Sequence, residues 1–211
     1  FWDVNEGEVL INDDNVKKIP TKQLRNMESY GILDTMGLTS RIVLDANIYT
    51  MNNRAEAFWM KKGILGDTVP LELNAKELVH RNNKNSELTV YGYTPMMVSV
   101  QCVQKTMDHC NHACVQYVLK DRYQKEFRGV CSCEFCYNTI YNTLPTSLLK
   151  EKEKAEKLGV KAYRLSFTTE TQQETEKIVR AFVDVYLRGQ KPDGQMQTEE
   201  TTKGHFQRGV E

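Results

Sequence analysis

The chain has 211 residues, 40% of them apolar and 27% charged, with 28 Lys+Arg against 28 Asp+Glu and a formal net charge of zero. This is a globular composition, long enough for one large domain or a sizeable piece of one. Balanced charge supplies no general field to draw in nucleic acid, though it leaves room for a local basic patch. No apolar run approaches the roughly 20 residues of a membrane span. No signal-peptide core is visible, and residue 1 is Phe, so the start is silent on targeting. A reducing cytoplasm is the expected compartment, with no membrane partner.

Residues 1–40 read as a mixed N-terminal segment: an extended start over 1–4 and 9–11, an Asn/Asp turn at 12–15 and a polar helix near 22–31. From Arg41 the pattern sharpens into βα units over 41–101. Ile42-Val43-Leu44 predicts a buried strand ending on polar Asp45, and Asn53 is placed to cap a helix over 54–62 with Ala55, Phe58 and Trp59 inward and Gly63 after it. The grammar repeats with a strand over 68–73 ending near Glu72 and Asn74, a helix over 75–80, a strand over 87–91 and an extended piece at 98–100. Alternation at this spacing argues for α/β architecture with a parallel sheet and right-handed crossovers. In a closed eight-fold barrel, polar residues at strand C-termini face the active site, which singles out Asp45, Glu72, Asn74 and Tyr91. Each has a plainer alternative as a cap for the following helix.

All six cysteines fall in the next segment, 102–143, at Cys102, Cys110, Cys114, Cys131, Cys133 and Cys136. The closing pair is a C-x2-C, which sets two thiolates on one tight turn; two more from upstream complete a tetrahedral set suited to zinc or to iron–sulfur iron. Core packing is the plain alternative, but confinement of every cysteine to one stretch argues against it. Disulfides fit poorly with the absence of cysteine elsewhere. His109 and His112 are placed to replace one ligand, and the all-thiolate set is preferred. Basic Lys120, Arg122, Lys125 and Arg128, interleaved with Tyr117, Tyr123 and Phe127, are placed to stack on RNA, or else form a charged loop around a metal site.

The last segment, 144–211, opens on a Pro145 break. A charged helix follows over 148–158, then a strand over 162–167. A long amphipathic helix spans 172–188, with Ile178, Val179, Phe182, Val185 and Tyr186 inward and Gly189 after it. Arg164 in this strand and Glu170 after it join the substrate-site candidates. The tail carries Gly204-His205-Phe206-Gln207-Arg208-Gly209-Val210, too specific for a linker.

The segments Leu44-Asp45 to Asn52, Leu71-Glu72-Leu73-Asn74, Val90-Tyr91-Gly92, Gln101-Cys102, Asp121-Arg122, Cys136-Tyr137-Asn138-Thr139-Ile140-Tyr141-Asn142, Phe167-Thr168-Thr169-Glu170 and 204–210 together resemble the bacterial collagenase-like peptidases, family 32 of the peptidases of unknown catalytic type. The motifs keep the family's order from about Arg41 to Glu211. The resemblance implies the C-terminal part of a TIM-like (β/α) barrel with an inserted cysteine-rich metal-binding segment, preceded in the family by an N-terminal half-barrel. Peptidase activity is implied by the family name. Several relatives carry a 4Fe–4S cluster and are linked to oxygen-independent hydroxylation of tRNA, rRNA or a quinone precursor. By resemblance the ligands are Cys102, Cys110, Cys133 and Cys136, with Cys114 and Cys131 in reserve; substrate-binding candidates are Asp45, Glu72, Asn74, Arg164, Glu170 and His205. Those relatives place a first cysteine near the strand end that here reads Tyr91-Gly92-Tyr93-Thr94-Pro95, where this chain has none. The closing C-x2-C looks like half of a zinc ribbon, so the cofactor expected is zinc or a 4Fe–4S cluster.

No G-x-S-x-G elbow and no H-E-x-x-H motif is present, and no Ser or Cys nucleophile is recognisably paired with His80 or His205. Three functional classes therefore stand: a peptidase, a hydroxylase acting on RNA or a small aromatic substrate, and a zinc-stapled RNA- or protein-binding module. The partners expected are a peptide or RNA substrate and the rest of the barrel.

Overall fold

The computed structural model describes residues 10–11, 14–15, 22–24, 28–107, 110–192 and 200–209. The chain divides into two compact units, one of residues 1–88, 156–163 and 205–211, the other of 89–155 and 164–204.

In the first unit β1 (Leu10–Ile11) and β2 (Asp14–Asn15) form a short antiparallel ladder. There follow β3 (Lys22–Leu24), α1 (Glu28–Thr35), β4 (Ile42–Leu44), α2 (Asn53–Lys61), β5 (Gly66–Thr68), α3 (Ala75–Leu78) and the start of β6 (Ser86–Gly92). β3, β4, β5 and β6 pair in that order and all in parallel, with Gln23 opposite Val43, Val43 opposite Gly66 and Asp67 opposite Ser86. The βα alternation expected from 41 onward is therefore present, in a sheet that is open, not closed into a barrel, among the described residues. Ile42 and Leu44, two apart on β4, bury completely with Trp59 and Ile64, and Tyr30, Leu33, Ile48 and Met60 pack around them. Each such aliphatic side chain contributes about 1.5–3 kcal/mol on burial.

Several local expectations shift. The cap of α2 is Asn52, whose side chain accepts from the N–H groups of Arg54 and Ala55 at 3.0 Å. Asn53 instead donates to His80 O and accepts from Asn82 N. Trp59 faces inward as expected, whereas Phe58 is exposed. Lys22–Leu24 is strand, not helix, and α1 begins further on at Glu28.

The larger shift is at β5. A strand is expected over 68–73, but the strand is Gly66-Asp67-Thr68, all buried, and 71–72 form a turn. Gly66 is required there by close approach: a Cβ would stand 2.2 Å from Asn85 O. Asp67 is tolerated because its carboxylate is fully engaged. Ser86 donates to it at 2.6 Å, Thr50 and the Arg81 guanidinium also bind it, and Arg81 reaches on to Thr50 O (2.8 Å), Asn83 and Ser86 (2.9 Å each). A buried charge survives only with such complete pairing.

The second unit holds the rest of β6, β7 (Pro95–Ser99), α4 (Val103–Thr106), β8 (Gln116–Lys120), β9 (Glu126–Ser132), β10 (Tyr137–Tyr141), β11 (Thr146–Ser147), most of α5 (Lys152–Lys157), Arg164–Ser166 of β12 (Ala162–Ser166), and α6 (Gln172–Phe182). The 102–143 segment, expected as a metal-binding insert, is largely an antiparallel sheet ordered β7-β10-β9-β8. Tyr91 and Gly92 at the end of β6 pair antiparallel with β11. α5 is preceded by a 3-10 turn at Leu149–Glu151. A Thr171/Glu174 capping box starts α6, which runs on as a π-helical stretch over Val183–Leu187. Phe182, Val185 and Tyr186 are buried as expected, and Val179 is exposed instead. Tyr91 stacks its ring near Phe167 and Phe182, at 5.5 and 6.1 Å between centroids.

Candidate metal centre

Strand geometry explains why the cysteines meet. Successive side chains of a strand alternate faces, so Gly129 and Cys131 share one side of β9 and are buried; Cys133, the first residue past the strand, is buried too. β9 ends at Ser132 and β10 starts at Tyr137, with those two residues paired. The C-x2-C therefore occupies the whole hairpin loop. It folds as a 3-10 turn over Cys133–Phe135, closed by Cys136 in the left-handed region (φ 53°), whose N–H donates to Cys133 O at 3.2 Å. A non-glycine residue held at positive φ costs about 1–2 kcal/mol, a strain commoner at sites than in plain turns.

Three further segments reach this face. Cys102 lies ahead of α4, on a loop fixed by the buried Asn138 amide, which donates to Gln101 O at 2.8 Å. On the sheet side, Cys131 N donates to Val115 O at 2.9 Å, and Tyr117 of β8 sits opposite Gly129. The loop carrying Cys110, His112 and Cys114 is tied to α4 by Gln104, whose amide donates to Ala113 O at 3.3 Å; Asn111 accepts from Ala113 N around His112, itself at φ 56°.

The result is a sulfur-rich cluster. The ligand atoms of Cys110, His112 and Cys133 all lie within 4.8 Å of one another, the single such group of three or more among the described residues. Donors around a tetrahedral zinc, with bonds of about 2.0–2.3 Å, stand about 3.3–3.8 Å apart, so this trio needs only slight closure to grip an ion. Cys102 Sγ lies 3.9 Å from Cys131 Sγ, far beyond the roughly 2.05 Å of a disulfide. All six cysteines are free thiols. Of the four ligands implied by resemblance, Cys110 and Cys133 thus come together with His112. Cys102 pairs with Cys131, and Cys136 closes the knuckle beside Cys133. His109 lies outside the described residues.

Electrostatics follow the same grouping. Burial, then the neighbouring Cys110, Cys136, Cys102 and Cys114, push the Cys133 thiol up. Cys131, fully buried, is pushed up to about 11 by burial and then by Cys102. Cys102 moves the other way, because the Lys105 backbone N–H favours its thiolate by more than burial opposes it. Crowded thiols that resist ionising together are what a cation relieves, since binding displaces their protons.

The chain has no counterpart among the family profiles, curated proteins and solved structures compared with it.

The remaining candidates divide between the two units. Asp45 caps the turn Ala46–Ile48, accepting from Asn47 N at 3.3 Å. Asn74 caps α3 in a capping box with Glu77. His205 Nδ1 contacts Gly209 O at 2.9 Å and is exposed. Glu72 Oε2 is buried without a hydrogen-bond partner. In the second unit, Arg164 is half-buried on β12. Glu170 accepts from Thr168 N and Thr169 N through Oε2, while its Oε1 is buried and unpartnered. Asp45 and Asn74 thus do ordinary capping, and Glu72 and Glu170 keep an open acceptor each. In the basic group, Lys120 pairs with Glu126, Arg122 lies over Tyr123, and Arg128 lies over Tyr93 and donates to Thr169. No described helix is long and apolar enough to cross a membrane.

Sequence reasoning weighed His112 only as a substitute, and it missed Gly129. The alternation of Gly129 and Cys131 along β9, leading into Cys133, was the available signal for the face.

Proposed function

We propose that this chain is a member of the collagenase-like peptidase family whose parallel βα units form part of a (β/α) barrel, and that its cysteine-rich sheet holds a zinc ion. The observation that carries the metal reading is the convergence of Cys110, His112 and Cys133 within 4.8 Å. A mixed S/N donor set of this kind suits zinc, with Cys136 as the fourth ligand from the same knuckle. The ion staples β9 and β10 to the 110–114 loop and does no chemistry of its own. The family placement is supported by the ordered motifs between Arg41 and Glu211, and the open parallel sheet is compatible with it.

Peptide hydrolysis is the reaction the resemblance implies. Glu72 and Glu170, each with a buried unpartnered carboxylate oxygen, are the groups best suited to bind a substrate donor or carry a proton. A second reading is favoured by the number of thiols around Cys133: it packs with Cys102 and Cys131 and has Cys110 within 4.8 Å, four sulfurs in one region, enough for a 4Fe–4S cluster and the hydroxylase chemistry the resemblance implies.

Anaerobic purification with elemental analysis, combined with cleavage of labelled gelatin, tests both. The proposal expects about one zinc per chain, no absorption near 400 nm, and gelatin cleavage reduced at least tenfold by Glu72→Gln or Glu170→Gln. Iron and sulfide with a 400 nm band would replace it with the hydroxylase reading. Zinc without cleavage would leave the metal centre standing and remove the peptidase.

A further inference from the structure

Tyr117 presents a buried hydroxyl that nothing accepts from: its phenol oxygen is out of contact with water and without a hydrogen-bond partner. Buried tyrosines ordinarily place that O–H on an acceptor, and an orphaned one costs about 1–3 kcal/mol. A phenylalanine would fill the same space at no such cost. The ring packs against the cluster of Cys102, Cys131 and Cys133. Its position is enforced from the neighbouring strand. Tyr117 is the direct partner of Gly129, and a Cβ at 129 would stand 2.3 Å from two ring carbons. A strand interior with glycine loses packing and backbone order, so here the cost of Gly129 admits the Tyr117 ring beside the sulfurs.

We propose that Tyr117 is a positioning residue for the metal centre, its hydroxyl donating a hydrogen bond to the sulfur of Cys133, the metal ligand within the cluster its ring packs against, once the ion is bound. This inference rests on the metal reading above. A metal-loaded cluster is anionic and rich in sulfur acceptors, whereas the protonated thiols are weak ones. The orphaned O–H thereby gains its partner in the loaded protein. Partners of this kind typically change metal affinity by 10–100-fold when removed.

The test is a cobalt(II) titration of the whole chain, wild type against Tyr117→Phe, with competition by a chromophoric chelator and urea unfolding of the metal-free proteins. Tyr117→Phe is expected to bind cobalt at least tenfold more weakly while its metal-free stability is unchanged or higher. Its sulfur-to-cobalt charge-transfer band should move to longer wavelength, because a hydrogen bond that holds down the sulfur electrons is gone. Gly129→Ala, which keeps the hydroxyl but displaces the ring, should show the same loss of affinity. Equal affinity and an unshifted band in Tyr117→Phe would overturn the proposal and leave the centre intact. A wild type that develops no charge-transfer band at all would overturn the metal reading itself.

Discussion

The ring of Tyr117 lies across Gly129, its direct partner on the adjacent strand, so closely that position 129 has no room for a Cβ. The pairing sets the floor of the sulfur cluster, and it makes Gly129 a residue of packing as much as of backbone. Gly129→Ala is expected to destabilise the metal-free protein by about 1–3 kcal/mol, the usual cost of overpacking. Urea unfolding with and without the variant reads it; a change below a few tenths of a kcal/mol would mean that the ring moves aside freely.

Asp67 and Arg81 carry the clearest stability prediction in the first unit. Both are almost fully buried and bonded to each other, with Thr50, Ser86 and Asn83 completing the network. Arg81→Met leaves the Asp67 charge uncompensated and should cost about 3–5 kcal/mol, more than the combined Asp67→Asn/Arg81→Met replacement. Denaturant unfolding of the single and double variants decides it. A double variant less stable than the single would show that the pair is net stabilising in its own right.

Glu151 supplies a pH prediction. Burial pushes its carboxyl up, but hydrogen bonds from Lys154 and Lys203 outweigh this and hold it below the usual carboxylate range. A depressed folded pKa gives stability that is present above the unfolded value, about 4.3, and is lost as pH falls through the folded one. Both lysines are partly exposed, so the contribution is about 1 kcal/mol or less. The difference in unfolding free energy between wild type and Glu151→Gln should be constant from pH 7 to 5 and shrink below pH 4. A difference that grows on acidification would contradict the assignment.

What the sequence made legible follows from which signals are local. The apolar strand Ile42-Val43-Leu44, the helix caps and the C-x2-C turn are short-range patterns, and each reappears in the fold with small shifts of boundary. β5 was obscured because its residues are Gly, Asp and Thr. Only long-range partners, Arg81 and Asn85, make such a strand possible. The antiparallel sheet around the cysteines was masked by their metal-like spacing, although β8 and β9 alternate in exposure and the Asp121 turn between them is conventional, accepting from Tyr123 N and Lys125 N. His112 was unreadable as a ligand candidate of the first rank, because nothing local distinguishes an exposed loop histidine from one poised beside two thiols. Convergence across the sheet is what does so.

X-ray absorption at the metal edge of the loaded protein tests the central claim most directly. The expected result is zinc with about three sulfurs near 2.3 Å and one histidine nitrogen near 2.0 Å, the nitrogen shell disappearing in His112→Ala. A shell of four sulfurs with no nitrogen, unchanged in His112→Ala, would contradict the Cys110–His112–Cys133 centre and return the site to the all-cysteine set.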